Sequence, residues 1–131
     1  MKPLQGVRVL VVEDDDDARE VARAILEQAG AVVVCAEGAR QAVEALEKDP
    51  PQVVVSDIAM PGEDGHEFLR RLRALPRDRG GRIPAVALTA SDTRETRLRS
   101  REAGFHYHLT KPADPKQLIE IIAALVRLTS R

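Results

Sequence analysis

Apolar residues fall along this chain in two alternating rhythms. Short β-branched runs, VRVLVV (7–12), AVVVCA (31–36), QVVVSD (52–57) and IPAVALT (83–89), predict strands, with a weaker fifth at HYHL (106–109). The first four are almost continuously apolar, the pattern of strands covered on both faces in a parallel sheet. Between them the period lengthens to that of a helix. Ala18, Val21, Ala22, Ile25, Leu26 and Ala29 share one helical face and stop at Gly30. A second helix carries Ala39, Ala42, Val43 and Leu46 and ends before Pro50-Pro51; a third carries Phe68, Leu69, Leu72 and Leu75 and ends before Pro76. The last carries Leu118, Ile121, Ile122, Leu125 and Leu128. The fourth, TRETRLRSREAG, has little apolar face beyond Leu98 and Ala103. Tertiary packing supplies most helical stability, so this helix is expected to be the least firmly docked and is a candidate moving part.

Five βα units in a row predict an α/β fold: an open, doubly wound, five-stranded parallel sheet with five helices and right-handed crossovers. The length of 131 residues predicts one domain, with PRDRGGR (76–82) a polar connector inside it. Aromatics make up 2% of the chain, so the core is built from Val, Ile, Leu and Ala, and base stacking on nucleic acid is not expected. Cys35, the one cysteine, excludes an internal disulfide and a cysteine zinc site; within AVVVCAE it reads as a small buried apolar side chain. No signal-peptide pattern and no membrane-length apolar run are present, and the expected location is the cytoplasm.

Charge sharpens the picture. Residues 1–66 hold 6 Lys/Arg against 14 Asp/Glu, whereas residues 67–101 hold 10 Arg against 4 Asp/Glu. This polarity suggests a cation site in the first half. The arginines read as solvated outer helix faces, because no nucleic-acid motif accompanies them.

Ligands of doubly wound sheets bind beyond the carboxyl ends of the strands. Strand one ends in Glu13 and Asp14, strand three in Asp57, strand four in Thr89, and Lys111 soon follows strand five. Three converging carboxylates repel unless a cation sits among them, and oxygen-only ligands suit Mg²⁺, with Mn²⁺ able to substitute. No glycine-rich phosphate loop follows strand one, so a phosphoryl group would be held by metal, Lys111 and Thr89, with Asp57 as nucleophile. The rest of the acidic run divides differently: Asp16 or Asp17 starts the first helix and caps it, and Asp15 reads as a solvated loop residue.

VVEDDDDARE, VVSDIAMPGEDGHEFLRRLR, VALTAS and LTKPAD, in order and at compatible spacing, closely resemble the motifs of response-regulator receiver domains of two-component signalling. The resemblance covers about residues 7–128 of a single 1–131 receiver unit. It implies a flavodoxin-like strand order 2-1-3-4-5. It also implies that Asp57 is the phosphoacceptor, that Glu13, Asp14, Asp57 and the backbone carbonyl of Ala59 hold Mg²⁺, and that Thr89 and Lys111 bind phosphoryl oxygens. Lys111-Pro112 corresponds to a bond typically cis in the family, and Met60-Pro61-Gly62 shapes the loop after the acceptor. Implied partners are a histidine kinase or histidine phosphotransfer domain, and a downstream protein reading the surface of the fourth helix, fifth strand and fifth helix. Neither nucleic acid nor membrane is an expected direct partner, and no enzyme activity is expected beyond self-phosphorylation and autodephosphorylation. Ala59 and Ser91, both small, would neither block nor orient an attacking water.

One position departs from the family. Three residues before the lysine, where a Tyr or Phe commonly swings inward, stands His108, the expected switch residue, which would act by a change of rotamer; neighbouring Tyr107 points to the opposite face of the strand. GFHYHLTKPAD is similar to receivers attached to hybrid sensor kinases. His66 and His106 read as structural or solvated, with no ligand cluster among the three histidines. The competing enzymatic reading is a phosphohydrolase of the haloacid-dehalogenase kind. Its D-x-D-x-[TV] motif is not met by Asp14-Asp15-Asp16-Asp17-Ala18.

Overall fold

A computed structural model describes residues 1–59, 64–90 and 93–129. In chain order the elements are β1 (Arg8–Val12), α1 (Asp16–Gln28), β2 (Val32–Ala36), α2 (Ala39–Lys48), β3 (Val53–Asp57) and α3 (Gly65–Arg73). Then follow a 3₁₀ turn (Arg77–Arg79), β4 (Ala85–Thr89), α4 (Arg94–Ala103), β5 (Tyr107–Thr110) and α5 (Pro115–Thr129). The five strands are parallel and lie in the order β2-β1-β3-β4-β5, a flavodoxin-like sheet.

Alternation along the strands builds two core layers. Leu10, Val12, Val54 and Ala87 pack with Leu46 of α2 and Phe68, Leu69 and Leu72 of α3. Val9, Val11, Val55 and Leu88 pack on the other face with Leu26 of α1 and Leu118 and Ile122 of α5. Every residue of β3 and β4 is buried, as continuous apolar runs require.

Some expected boundaries shift for identifiable reasons. β4 begins two residues later than the apolar run, because Pro84 has no N–H for the ladder and joins only through its carbonyl, which accepts from Val54 N at 2.9 Å. β5 is displaced by one residue to Tyr107–Thr110. Leu4, outside any predicted element, is fully buried where the N-terminal segment crosses the α1–β2 turn, its N–H donating to Ala29 O at 2.8 Å.

Three side chains differ from their expected roles. Leu98 is 53% exposed and does not dock α4, whose buried residues are Ser100 and Ala103. Cys35 is only partly buried, because β2 is an edge strand. Arg73 is not a solvated arginine: its guanidinium lies between the segments entering β4 and β5. Its Nε and Nη2 donate to Gly104 O at 3.0 and 2.8 Å, and its Nη1 donates to Gly81 O and Ile83 O at 3.1 and 2.7 Å. Burial, and then the charge of Arg82, draws its pKa below the ordinary value.

Candidate functional site

The carboxyl ends of β1, β3 and β4 bring three buried polar side chains to one rim. Glu13, Asp57 and Thr89 are each about 5% exposed or less, unusual for such residues without partners. Their positions follow from the ladders. Glu13 N donates to Ala36 O at 3.0 Å, Ile58 N to Leu88 O at 3.1 Å and Lys111 N to Thr89 O at 2.8 Å, so each strand end is held by its neighbour.

Carboxylate oxygens of Glu13, Asp14 and Asp57 lie within 4.8 Å of one another. Lys111 reaches across the sheet into this group, its Nζ 2.6 Å from Glu13 Oε1 and 3.2 Å from Asp57 Oδ1. Burial alone would lower the pKa of Lys111, but the hydrogen bond to Glu13 and the charge of Asp57 outweigh it, and the ammonium form is favoured. One ammonium among three carboxylates leaves a local excess of two negative charges, which a divalent cation would balance. The donors are hard oxygens open to solvent on the Asp14 side, and they fit Mg²⁺ better than a nitrogen- or sulfur-seeking metal.

The start of α3 is held against the end of β3. Gly65 N donates to Ile58 O at 2.8 Å, and a Cβ at 65 would stand only 2.4 Å from Asp57 O, so no residue with a side chain fits this approach. Ala59 is exposed at the rim, two residues beyond Asp57. Pro61, with Met60 and Gly62, and Ser91 lie outside the described residues. The Lys111-Pro112 peptide bond is cis.

The acidic run is corrected in one respect. Asp15, rather than Asp16 or Asp17, is the N-cap of α1, its carboxylate accepting from Ala18 N at 2.8 Å. Asp16 instead pairs with Arg19, whose Nη1 also donates to the backbone carbonyl of Glu13 at 3.0 Å. Five consecutive acids leave the capping register open in the sequence; the preference for Asp at an N-cap applies equally to the four aspartates among them.

His108 lies on the side of β5 that faces α4, with Nδ1 3.3 Å from Ser100 Oγ. Tyr107 is 47% exposed. His66 also reaches Ser100, Nε2 to Oγ 3.1 Å, so two of the three histidines share one hydroxyl, a link that nothing in their sequence spacing signals. His106 is structural: its Nδ1 accepts from Ala85 N at 3.2 Å. Beside the rim, an apolar groove of about 430 Å³ runs between α1 and the segment leading into α5, past Val21, Ile25, Pro112, Ala113 and Leu118.

No helix among the described residues is long and apolar enough to cross a membrane. The family model for the response regulator receiver domain matches residues 9–123. A 14.6 kDa protein from the sodA1 3′ region of Leptolyngbya boryana is 43% identical over 122 residues, covering 93% of this chain and 92% of that protein. The phosphate regulon transcriptional regulatory protein PhoB of Escherichia coli is 38% identical over 125 residues, covering 94% of this chain and 53% of PhoB. The chain thus spans about half the length of PhoB. Among solved structures, the receiver domain of a sensor histidine kinase from Pseudomonas aeruginosa superimposes with a TM-score of 0.84 at 30% identity, covering 93% of this chain and 98% of that one. That structure holds a magnesium ion coordinated in its active-site cleft. By its sequence motifs, its strand order and these matches, the chain belongs to the response-regulator receiver domains of two-component signalling.

Proposed function

We propose that Asp57 accepts a phosphoryl group from a phosphohistidine on a histidine kinase or histidine phosphotransfer domain. The observation that carries this reading is the pairing of a buried carboxylate with Lys111 Nζ at 3.2 Å, inside a three-carboxylate cluster at the carboxyl edge of the sheet. Asp57 Oδ forms the new P–O bond as the P–N bond to the donor imidazole breaks, and the leaving nitrogen keeps the bonding pair. Lys111 holds an Asp57 oxygen before transfer and pairs with a phosphoryl oxygen afterwards. Thr89, at the end of the neighbouring strand, donates its hydroxyl to another.

Glu13, Asp14, Asp57 and the Ala59 carbonyl would hold Mg²⁺ or Mn²⁺, which when bound supplies charge neutralisation at the phosphoryl oxygens. Glu13 keeps Lys111 in place through its 2.6 Å contact, and the exposed carboxylate of Asp14 opens the cluster to solvent. Phosphorylation then shifts the α4-β5-α5 surface that a downstream protein reads. The unit acts as a signalling module across about residues 7–128, with at most self-phosphorylation and autodephosphorylation as chemistry of its own, and it functions in the cytoplasm.

Incubation with acetyl phosphate and Mg²⁺, followed by intact mass measurement, tests the reading. Wild type is expected to gain one phosphoryl group, and Asp57→Ala, or wild type with a chelator, is expected to gain none. Equal labelling of Asp57→Ala would overturn it.

A further inference from the structure

Beneath α4, three polar side chains occupy the place of an apolar contact. Ser100, on the inner face of α4, is 1% exposed; its Oγ is 3.1 Å from His66 Nε2 at the start of α3 and 3.3 Å from His108 Nδ1 in β5. His66 is itself 2% exposed and stands edge-on to Phe105, ring centroids 6.4 Å apart. A serine hydroxyl carries one proton and two lone pairs, so it can serve both rings at once, donating to one bare nitrogen and accepting from the N–H of the other. Burial, and then the nearby charge of Arg99, keeps the His66 imidazole below its ordinary pKa, so the ring is neutral near pH 7 and the link is a hydrogen bond rather than an ion pair.

This bridge begins next to the acceptor. Gly65 packs its backbone directly against the Asp57 carbonyl, and His66 is the following residue. A displacement of the Asp57–Ile58 backbone therefore has a short covalent and hydrogen-bonded route to α4: Gly65, His66, Ser100. The same hydroxyl meets His108, in the strand position where the family commonly carries a Tyr or Phe. α4 has little else to hold it by apolar contact, since Leu98 faces solvent and Ala103 is its one buried apolar side chain.

We propose that Ser100 is a positioning residue that joins α3, α4 and β5 through His66 and His108, and that this bridge passes a change at Asp57 to α4. The inference rests on Asp57 being the phosphoacceptor. Directed hydrogen bonds have discrete alternatives, so a shift of one partner re-pairs the bridge instead of straining it, and α4 moves between two defined positions.

The test is a set of ¹H–¹⁵N spectra of the full chain before and after acetyl phosphate and Mg²⁺, with intact mass read on the same samples. In wild type, one phosphoryl group is gained and amides of 94–103 shift. In Ser100→Ala the label and the shift at Thr89 are retained, while the α4 shifts fall below about half of wild type, the size of loss expected when a coupling element is removed. His66→Gln, whose amide reaches the position of Nε2, keeps the α4 response, and His66→Leu loses it. A role in stability alone would change melting behaviour without separating those two variants in the spectra. Should Ser100→Ala fail to fold, the His66→Gln and His66→Leu pair decides. Full α4 shifts in labelled Ser100→Ala or His66→Leu would overturn the bridge and leave the acceptor assignment standing. Wild type that gains no label would overturn both, and the mass record tells these outcomes apart.

Discussion

The acidic rim and the α4 edge are built on opposite principles. The rim stands on β1, β3 and β4, central strands with ladders on both sides and side chains buried on both faces. Neither Glu13 nor Asp57 can shift its backbone without disturbing two neighbouring strands and two core layers. β5, by contrast, is an edge strand with one ladder, and the helix before it buries only Ser100 and Ala103. α3, of similar length, buries Phe68, Leu69 and Leu72. The proposed chemistry is thus placed where close packing fixes geometry, and the surface proposed to change is placed where a few directed polar contacts hold it.

The sharpest way to break this contrast is to truncate one apolar residue on each side. Phe68→Ala, in the α3 layer, is expected to lose about 3–5 kcal/mol in urea unfolding, the usual cost of emptying a buried aromatic site. Leu98→Ala, on the exposed face of α4, should change stability by less than about 0.5 kcal/mol. Comparable losses would mean that α4 is docked as firmly as α3. Next in size, Asp15→Ala is expected to cost about 1 kcal/mol by removing the α1 cap, and Asp16→Ala should cost less, because its pair with Arg19 is at the surface. The reverse order would return the cap to Asp16.

The smallest effect concerns pH. His66 is held neutral by burial and by Arg99, with Arg70 and His108 acting in the same sense and Asp64 opposing. Its folded pKa lies below the unfolded value, so the unfolded chain takes up the proton first as pH falls. The associated stability is complete above the ordinary imidazole range and declines as pH drops through about 6.5. His106, shifted the same way by burial and then by Arg73, adds to the slope. His66→Gln should flatten stability against pH between about 7 and 5 relative to wild type, and an unchanged slope would show that His66 does not titrate there.

Much of the rim was legible in the sequence because strand ends are one-dimensional features. A β-branched run followed by Glu13-Asp14, by Asp57 or by Thr89 places those residues at the carboxyl edge before any packing is known. The helix cap was not legible, because neighbouring aspartates have the same intrinsic preference and only the helix start selects Asp15. The sharing of Ser100 by His66 and His108 was hidden for another reason: the contact spans 34 residues on one side and depends on how α3, α4 and β5 pack together. Arg73 illustrates the same limit, since its carbonyl partners come from two loop segments that no local pattern connects to it.

If Asp57 is the phosphoacceptor, the phosphoryl group resides on Asp57 and on none of the aspartates of the 13–17 run. Borohydride reduction of the labelled protein, which converts an aspartyl phosphate to homoserine, followed by peptide mass mapping, locates it directly. Homoserine at position 57 alone is the expected result. Reduction at Asp14, Asp15, Asp16 or Asp17, or a stable phosphoester that resists borohydride, would contradict the account.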